Sequence, residues 1–322
     1  MSDPSQRPLV LDVDGTMIRS DLTHELLFEG FRTAKPWHWP RLLRLALTDK
    51  PALKAEFVAR IGDGMAPELH PLEPLAVGLA ETAKVEGREV YLCSGSEQSL
   101  VERLAAVLPY VDGAFGTVPG YNMTAQNKAD FLTERFPDGF DYVGNSSQDY
   151  EPWEAAHTAF AIRPPTDALL RRSQSGESVN VLEKRTDSVR DLDVRDEESR
   201  LAVIAGSLLV TFAMALWLAP PDGDDDWLIQ WVFGVNSTLF MYHAWASWRT
   251  VTHAGDDRKT GRPNPVAEGR LSLVKRLKIG AFFLAMSFVL TIFTWPWWPL
   301  FILPVLFVIG WSADNLRETR TP

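Results

Sequence analysis

Over the first 163 residues, short apolar runs alternate with longer segments whose apolar positions recur at helical spacing. The runs Pro8–Val13, Glu89–Cys93, Asp141–Val143 and Ala159–Ile162 are bounded by Gly, Asp or Pro and predict strands. The segments 22–33, 40–60, 70–86, 97–108, 126–136 and 149–157 predict helices. Such alternation predicts an α/β fold built on a doubly wound parallel sheet. The stretch between the first two strands is too long for a simple crossover, so it predicts a separate helical cap over about 20–86.

Further along, the pattern changes twice. Residues 166–200 are dense in charge and lack sustained periodicity, which predicts a linker carrying one last strand at Val179–Leu182. From Leu201 onward come long apolar stretches. Leu201–Ala219 has no charge, and Trp227–Trp248 has none, although Gln230, Asn236 and His243 interrupt it. Ile279–Trp295 and Leu300–Trp311 follow, the latter short and carrying Pro304. A bilayer core takes about 20 apolar residues per helix, so residues 201–322 predict an all-α transmembrane domain of about four helices behind a domain over 1–165.

Charge orients these spans. The segment Pro220–Asp226 is acidic, whereas Arg249–Lys278 is rich in Arg and Lys, and basic loops stay cytoplasmic. The pattern predicts a multi-pass protein of the inner (cytoplasmic) membrane with the first domain on the cytoplasmic side. It makes the lipid bilayer a partner. Residues 1–8 have no basic flank or apolar core of a signal peptide, which fits that orientation. A net charge of −10 argues against nucleic acid, whose phosphates need basic surface. The single cysteine, Cys93, cannot form an internal disulfide.

Candidate chemistry sits at the ends of the predicted strands. Asp12 and Asp14, in Leu11-Asp12-Val13-Asp14-Gly15-Thr16, stand one residue apart where open α/β sheets place their ligands. A carboxylate can attack phosphorus to form an aspartyl-phosphate. A second one nearby can protonate the leaving oxygen and then deprotonate water. A calcium loop is excluded by the preceding strand and by Thr23 at the position where such a loop needs Glu. Ser94 is expected to open a helix and bind a phosphate oxygen. Lys128 suits charge neutralisation at a phosphoryl group. Gly144-Asn145-Ser146-Ser147-Gln148-Asp149 offers oxygen ligands for Mg²⁺.

These elements, in this order, resemble the four motifs of the haloacid dehalogenase (HAD) superfamily. The long helical insert is similar to the cap of its phosphoserine-phosphatase-like branch. The resemblance implies a Mg²⁺-dependent phosphomonoester hydrolase acting on a phosphorylated small-molecule or lipid-linked substrate. It implies Asp12 as nucleophile, Asp14 as acid/base, and Ser94 and Lys128 as phosphate-binding residues. The metal would be held by Asp12, Asp14, Asn145 and Asp149. One departure is Asn145, where the fourth motif usually carries an acid.

A narrower likeness extends along the chain. Ile18-Arg19-Ser20-Asp21-Leu22 and Gly144-Asn145-Ser146 resemble HAD domains fused to UbiA-type prenyltransferases. The segment Asp256–Ser272 is similar to the first Asp-rich loop of those membrane domains. The match then departs: Arg249–His253 offers no acid, Asp196-Glu197-Glu198 replaces a basic entry motif, and the predicted spans number far fewer. A shortened membrane half that anchors a phosphatase is therefore expected. A polyprenyl transferase and a non-catalytic HAD-like scaffold are the alternatives.

Overall fold

In the computed structural model, residues 7–165, 179–183 and 225–293 are described. The predicted spans Leu201–Ala219 and Leu300–Trp311, the loop 220–224 and most of the linker lie outside them. Two compact units separate, one within Met1–Ser188 plus Ala254–Leu273, the other within Val189–His253 plus Val274–Pro322.

The first unit is built on a six-stranded parallel sheet in the order β3-β2-β1-β4-β5-β6. Its strands are β1 (Leu9–Leu11), β2 (Val90–Glu97), β3 (Gly113–Thr117), β4 (Asp141–Gly144), β5 (Thr158–Ile162) and β6 (Asn180–Glu183). Alternate residues of β1 go to opposite faces, as strand geometry requires. Leu9 and Leu11 join a core with Leu92, Leu100 and Val143, while Val10 joins one with Cys93, Leu132, Tyr142 and Trp153. Strand β3 is absent from the sequence expectation. Its residues, Gly-Ala-Phe-Gly-Thr, have neither alternation nor a β-branched run, and only pairing with β2 makes them a strand.

The cap lies between β1 and β2 and holds α1 (Leu22–Thr33), α2 (Trp39–Thr48) and α3 (Lys50–Ile61). One continuous helix was expected over 40–60. It breaks at Asp49, whose side chain accepts from Ala52 N at 3.0 Å, while Pro51 sits in the first turn of the next helix with no N–H to give. The α1–α3 contact is close. A Cβ on Gly30 would stand 2.3 Å from the Phe57 ring, so α1 must be glycine there. The next helix, α4 (Pro74–Val85), begins later than expected. Leu72 is drawn instead into an antiparallel bridge with Ile18, and Glu73 N donates to Met17 O at 2.9 Å. Residues 17–21 and 70–73, paired through a single bridge, are thus the attachment strands by which the cap joins the sheet.

Helices α5 (Gln98–Ala105), α6 (Ala125–Arg135) and α7 (Tyr150–Ala155) follow the strands. The unit then takes in a segment that the sequence placed in the membrane half. Residues 254–273, including α9 (Ala254–Thr260), belong to the first unit.

The second unit contains α8 (Asp225–Thr252) and α10 (Leu273–Ile292). Successive contacts Phe233–Phe293, Ser237–Ser287, Phe240–Phe283 and Gly280–Ser247 make the pair antiparallel. Ser237 Oγ donates to Ser287 O at 2.8 Å, and Ser287 Oγ donates back to Ser237 O at 2.9 Å. Among the described residues no helix is long and apolar enough to cross a membrane. Gln230, Asn236 and His243 dilute α8, and Lys275, Arg276 and Lys278 occupy the first turns of α10.

Candidate active site

Three parallel strands bring the chemistry together. Leu11 is in register with both Leu92 and Val143, so Asp12–Gly15, Ser94 and Gly144–Asn145 all emerge at the carboxyl edge. This is also where the strand order reverses direction, between β1 and β4, the usual ligand position in such sheets.

Asp12 is buried. Its Oδ1 accepts from Lys128 Nζ at 2.8 Å, while its Oδ2 receives no hydrogen bond among the described residues. Lys128 comes from the first turn of α6 and is itself buried. It also donates to Tyr142 Oη at 2.9 Å and approaches Asp149 Oδ1 at 3.4 Å. Burial pushes the Asp12 carboxyl up to about 8, with Lys128 opposing and Asp149 and Asp14 reinforcing the rise. Burial by itself would lower Lys128, but Asp12 and Asp149 outweigh it and hold the ammonium above its ordinary value. Cys93, close behind, is pushed up to about 12 by burial and stays a thiol.

Asp14 is half-buried and fully engaged. Its Oδ1 accepts from Leu22 N at 2.7 Å, and its Oδ2 from Ser96 Oγ at 2.7 Å and Ser94 Oγ at 3.1 Å. Burial raises it to about 7, Asp21 adds repulsion, and the bonds from Ser96, Leu22 and Ser94 hold it down. A carboxyl near neutrality is what acid–base work at physiological pH requires.

Ser94 does not open a helix. Strand β2 runs on to Glu97 with a register shift after Cys93, and α5 starts at Gln98 under a Glu97 cap. The Ser94 and Ser96 hydroxyls both donate to Asp14, and Ser94 Oγ accepts from Ser96 N at 2.9 Å. Ser94 thus orients the second carboxylate.

Asp149 is saturated. Its Oδ2 accepts from Asn145 N, Ser146 N and Ser146 Oγ at 2.9–3.0 Å, and its Oδ1 from Tyr142 Oη at 2.7 Å. With Ser146 it forms a capping box ahead of α7. These donors commit its lone pairs to shaping the loop and to the Lys128 side of the cluster. Asn145 is different. Its Oδ1 is buried and receives no hydrogen bond. Its amide lies against Gly15, where φ is +76° and a Cβ would stand 2.1 Å from Asn145 Nδ2, so only glycine fits after Asp14.

Sequence reasoning missed three residues. Tyr142 reads as an ordinary strand position, and Ser96 falls between the expected strand Glu89–Cys93 and the expected helix over 97–108. Lys54, on α3 of the cap, buries its ammonium against Gly95 O and against Asn122 Oδ1 at 3.2 Å. Burial lowers its pKa, opposed by Asp14 and Asp21. No local pattern marks a cap lysine as reaching the site. Only the packing of α3 over β2 does.

Two charged groups of the Asp-rich loop are engaged within the first unit. Asp257 Oδ2 accepts from Asn264 Nδ2 at 2.8 Å, and Arg258 is bound to Glu25 at 3.0 Å.

No family model matches the sequence. An uncharacterized protein of Sinorhizobium fredii is 29% identical over 273 residues, covering 83% of this chain and 51% of that protein. The chain therefore spans about half the length of the curated relative it matches. Among solved structures, a substrate-bound phosphoserine phosphatase complex shares 14% identity at a TM-score of 0.41, covering 61% of this chain and 99% of that one. A HAD family hydrolase of Salmonella enterica serovar Typhi shares 20% at 0.37, covering 55% and 68%. A Bordetella pertussis protein of unknown function shares 14% at 0.41, covering 55% and 97%. At these scores none of them assigns a role to a residue of this chain.

Proposed function

We propose that the chain is a HAD-type, Mg²⁺-dependent phosphomonoester hydrolase that works through an aspartyl-phosphate on Asp12. The observation that carries this is the division of the two carboxylates. Asp12 keeps one oxygen free beside a buried cation, while Asp14, two residues on, is held by three donors and raised to about 7. Asp12 Oδ2 attacks phosphorus, and the bond to the leaving oxygen breaks as Asp14 gives that oxygen its proton. Asp14 then takes a proton from water, whose oxygen displaces Asp12 and releases inorganic phosphate. Lys128 keeps Asp12 oriented and offsets charge on the phosphoryl oxygens.

The donor set fits a hard divalent cation. Two carboxyl groups, Asp12 and Asp149, face one ammonium, Asp14 adds repulsion at Asp12, and Asn145 Oδ1 is a buried acceptor without a donor. Among the described residues no three acidic, His or Cys side chains form a metal group on their own. The holders would be the Asp12 carboxylate, the Asp14 carbonyl and Asn145 Oδ1, with Asp149 behind them. Mg²⁺ bound there would supply charge neutralisation at the phosphoryl group. Release of phosphate from an aryl phosphate, with and without Mg²⁺, tests the reading. Hydrolysis that survives Asp12→Asn overturns it.

The finer part of the proposal is that the substrate is lipid- or prenyl-linked and that the chain sits on the inner membrane with its first unit cytoplasmic. Its support is the uncharged run Leu201–Ala219, the basic stretch after Arg249, and the exposed Phe282, Phe288 and Ile292 on α10. Partition of the whole protein between membranes and alkaline wash checks it; full release into the wash overturns integral anchoring.

A further inference from the structure

Residues 254–273 and the cap's attachment strands meet through one buried cation. Arg258, 233 residues after Glu25, donates Nη1 and Nη2 to the two Glu25 oxygens at 3.0 Å each. Its Nη1 also reaches His70 Nε2 at 3.1 Å, and its Nε reaches Ala267 O at 3.2 Å. Glu25 lies on α1, just past the first attachment strand, and His70 on the second. Farther along the segment, Gly269 at φ +67° presses on both strands. A Cβ there would stand 2.6 Å from Arg19 Cβ and 3.0 Å from Pro71 Cγ. The segment is also internally braced: Asn264 Oδ1 accepts from Val266 N and Ala267 N, and Glu268 accepts from Asn264 N. It is a built strap, not a chance contact.

Two paths lead from Arg258 to the acid/base carboxylate. Guanidinium only donates, so His70 Nε2 must accept, which places the ring proton on Nδ1. Nδ1–H then donates to Ser20 Oγ, and Ser20 O accepts from Gly15 N at 3.1 Å, next to Asp14. Along the other path, Glu25 N donates to Asp21 O within the first turn of α1, and that turn presents Leu22 N to Asp14 Oδ1 at 2.7 Å.

We infer that Arg258 is a positioning residue for Asp14: the 254–273 strap clamps both attachment strands and so fixes the donors that aim the acid/base carboxyl. This rests on the hydrolase reading above. It also gives the strap's position a handle on the reaction, since its two ends continue into α8 and α10.

Arg258→Met leaves Glu25 buried and unpaired and risks unfolding, so Glu25→Gln with Arg258→Met is made alongside it. Both are measured on p-nitrophenyl phosphate, whose leaving group needs little protonation, and on an alkyl phosphate, whose leaving group needs a proton from Asp14. General acid–base catalysis contributes about 10²–10⁴-fold, so a misaimed Asp14 should lower alkyl-phosphate kcat by at least about tenfold more than p-nitrophenyl-phosphate kcat. Amide hydrogen exchange should quicken at Gly15, Arg19, Leu22 and Glu73 in the double variant while β4 keeps its protection. Equal losses on the two substrates in a folded double variant, or unchanged exchange at those amides, would overturn the positioning role. A wild-type protein inactive on both substrates would instead overturn the hydrolase reading, and the exchange result would still decide whether the strap is a clamp.

Discussion

Two buried charge clusters in the first unit use similar residues to opposite ends. Around Arg258 the charges balance. One guanidinium grips both oxygens of Glu25, and His70 stays neutral because burial first, and Arg258 second, lower its pKa well below the ordinary range. Around Lys128 they do not. One ammonium faces Asp12 and Asp149, with Asp14 adding to the repulsion that, after burial, lifts Asp12 to about 8. A balanced cluster has nothing left to offer a ligand and serves to join two parts of the chain. An unbalanced one has carboxyl oxygens to spare, for a divalent cation or for attack on phosphorus.

The sharpest way to break the contrast is at its reactive end. Asp12→Asn should reduce phosphate release to background while the melting temperature stays within a few degrees, because the amide cannot attack phosphorus. Residual turnover at the wild-type rate would remove Asp12 as nucleophile.

At the balanced end, Arg258→Met should cost about 3–5 kcal/mol of stability by stranding a buried carboxylate. The double variant with Glu25→Gln should recover most of that loss, as read by denaturant unfolding. Equal destabilisation in both would mean that the pair is not a coupled unit.

Lys128→Met should lower kcat by about 10²–10³-fold, the usual scale for removing one preorganised electrostatic contact. Steady-state kinetics on p-nitrophenyl phosphate checks this, and an unchanged kcat would leave Lys128 a structural cation.

Asn145→Asp should tighten Mg²⁺, shifting the concentration for half activity by about tenfold, which corresponds to about 1.4 kcal/mol. Repulsion from Asp12 limits the gain. Equal midpoints would show that residue 145 does not touch the ion.

The smallest effect concerns pH. His70 has a folded pKa lowered from 6.5, so the unfolded chain binds more protons over the interval between the two values. Stability from the neutral ring is present above pH 6.5 and is lost as pH falls from there through the folded value. Arg258, Glu25 and Ser20 face the ring. The fall in melting temperature on acidification should be shallower in His70→Gln, and parallel curves would place the proton elsewhere.

Much of this was written locally. A strand that ends in Asp-x-Asp-Gly-Thr can be read from one short window, because alternation, the turn glycine and the paired carboxylates are neighbours in sequence. Element boundaries were less legible. The break at Asp49 turned on one cap and one proline inside an otherwise helical pattern, and β3 had no pattern at all.

What the sequence by itself determined is therefore the parallel sheet's central strands, the cap's existence and the identity of Asp12, Asp14 and Lys128 as candidates. What only the tertiary structure decided is the division of labour among them. That Ser94 serves Asp14 and that Asn145 keeps an unpaired oxygen both depend on which groups arrive from other strands. The membership of residues 254–273 in the first unit is the extreme case. Charge and spacing placed them in a loop between apolar helices, but a buried guanidinium must find its carboxylate, and Arg258 finds Glu25 across 233 residues of chain. No window of sequence holds both partners, and only folding brings them within hydrogen-bonding distance.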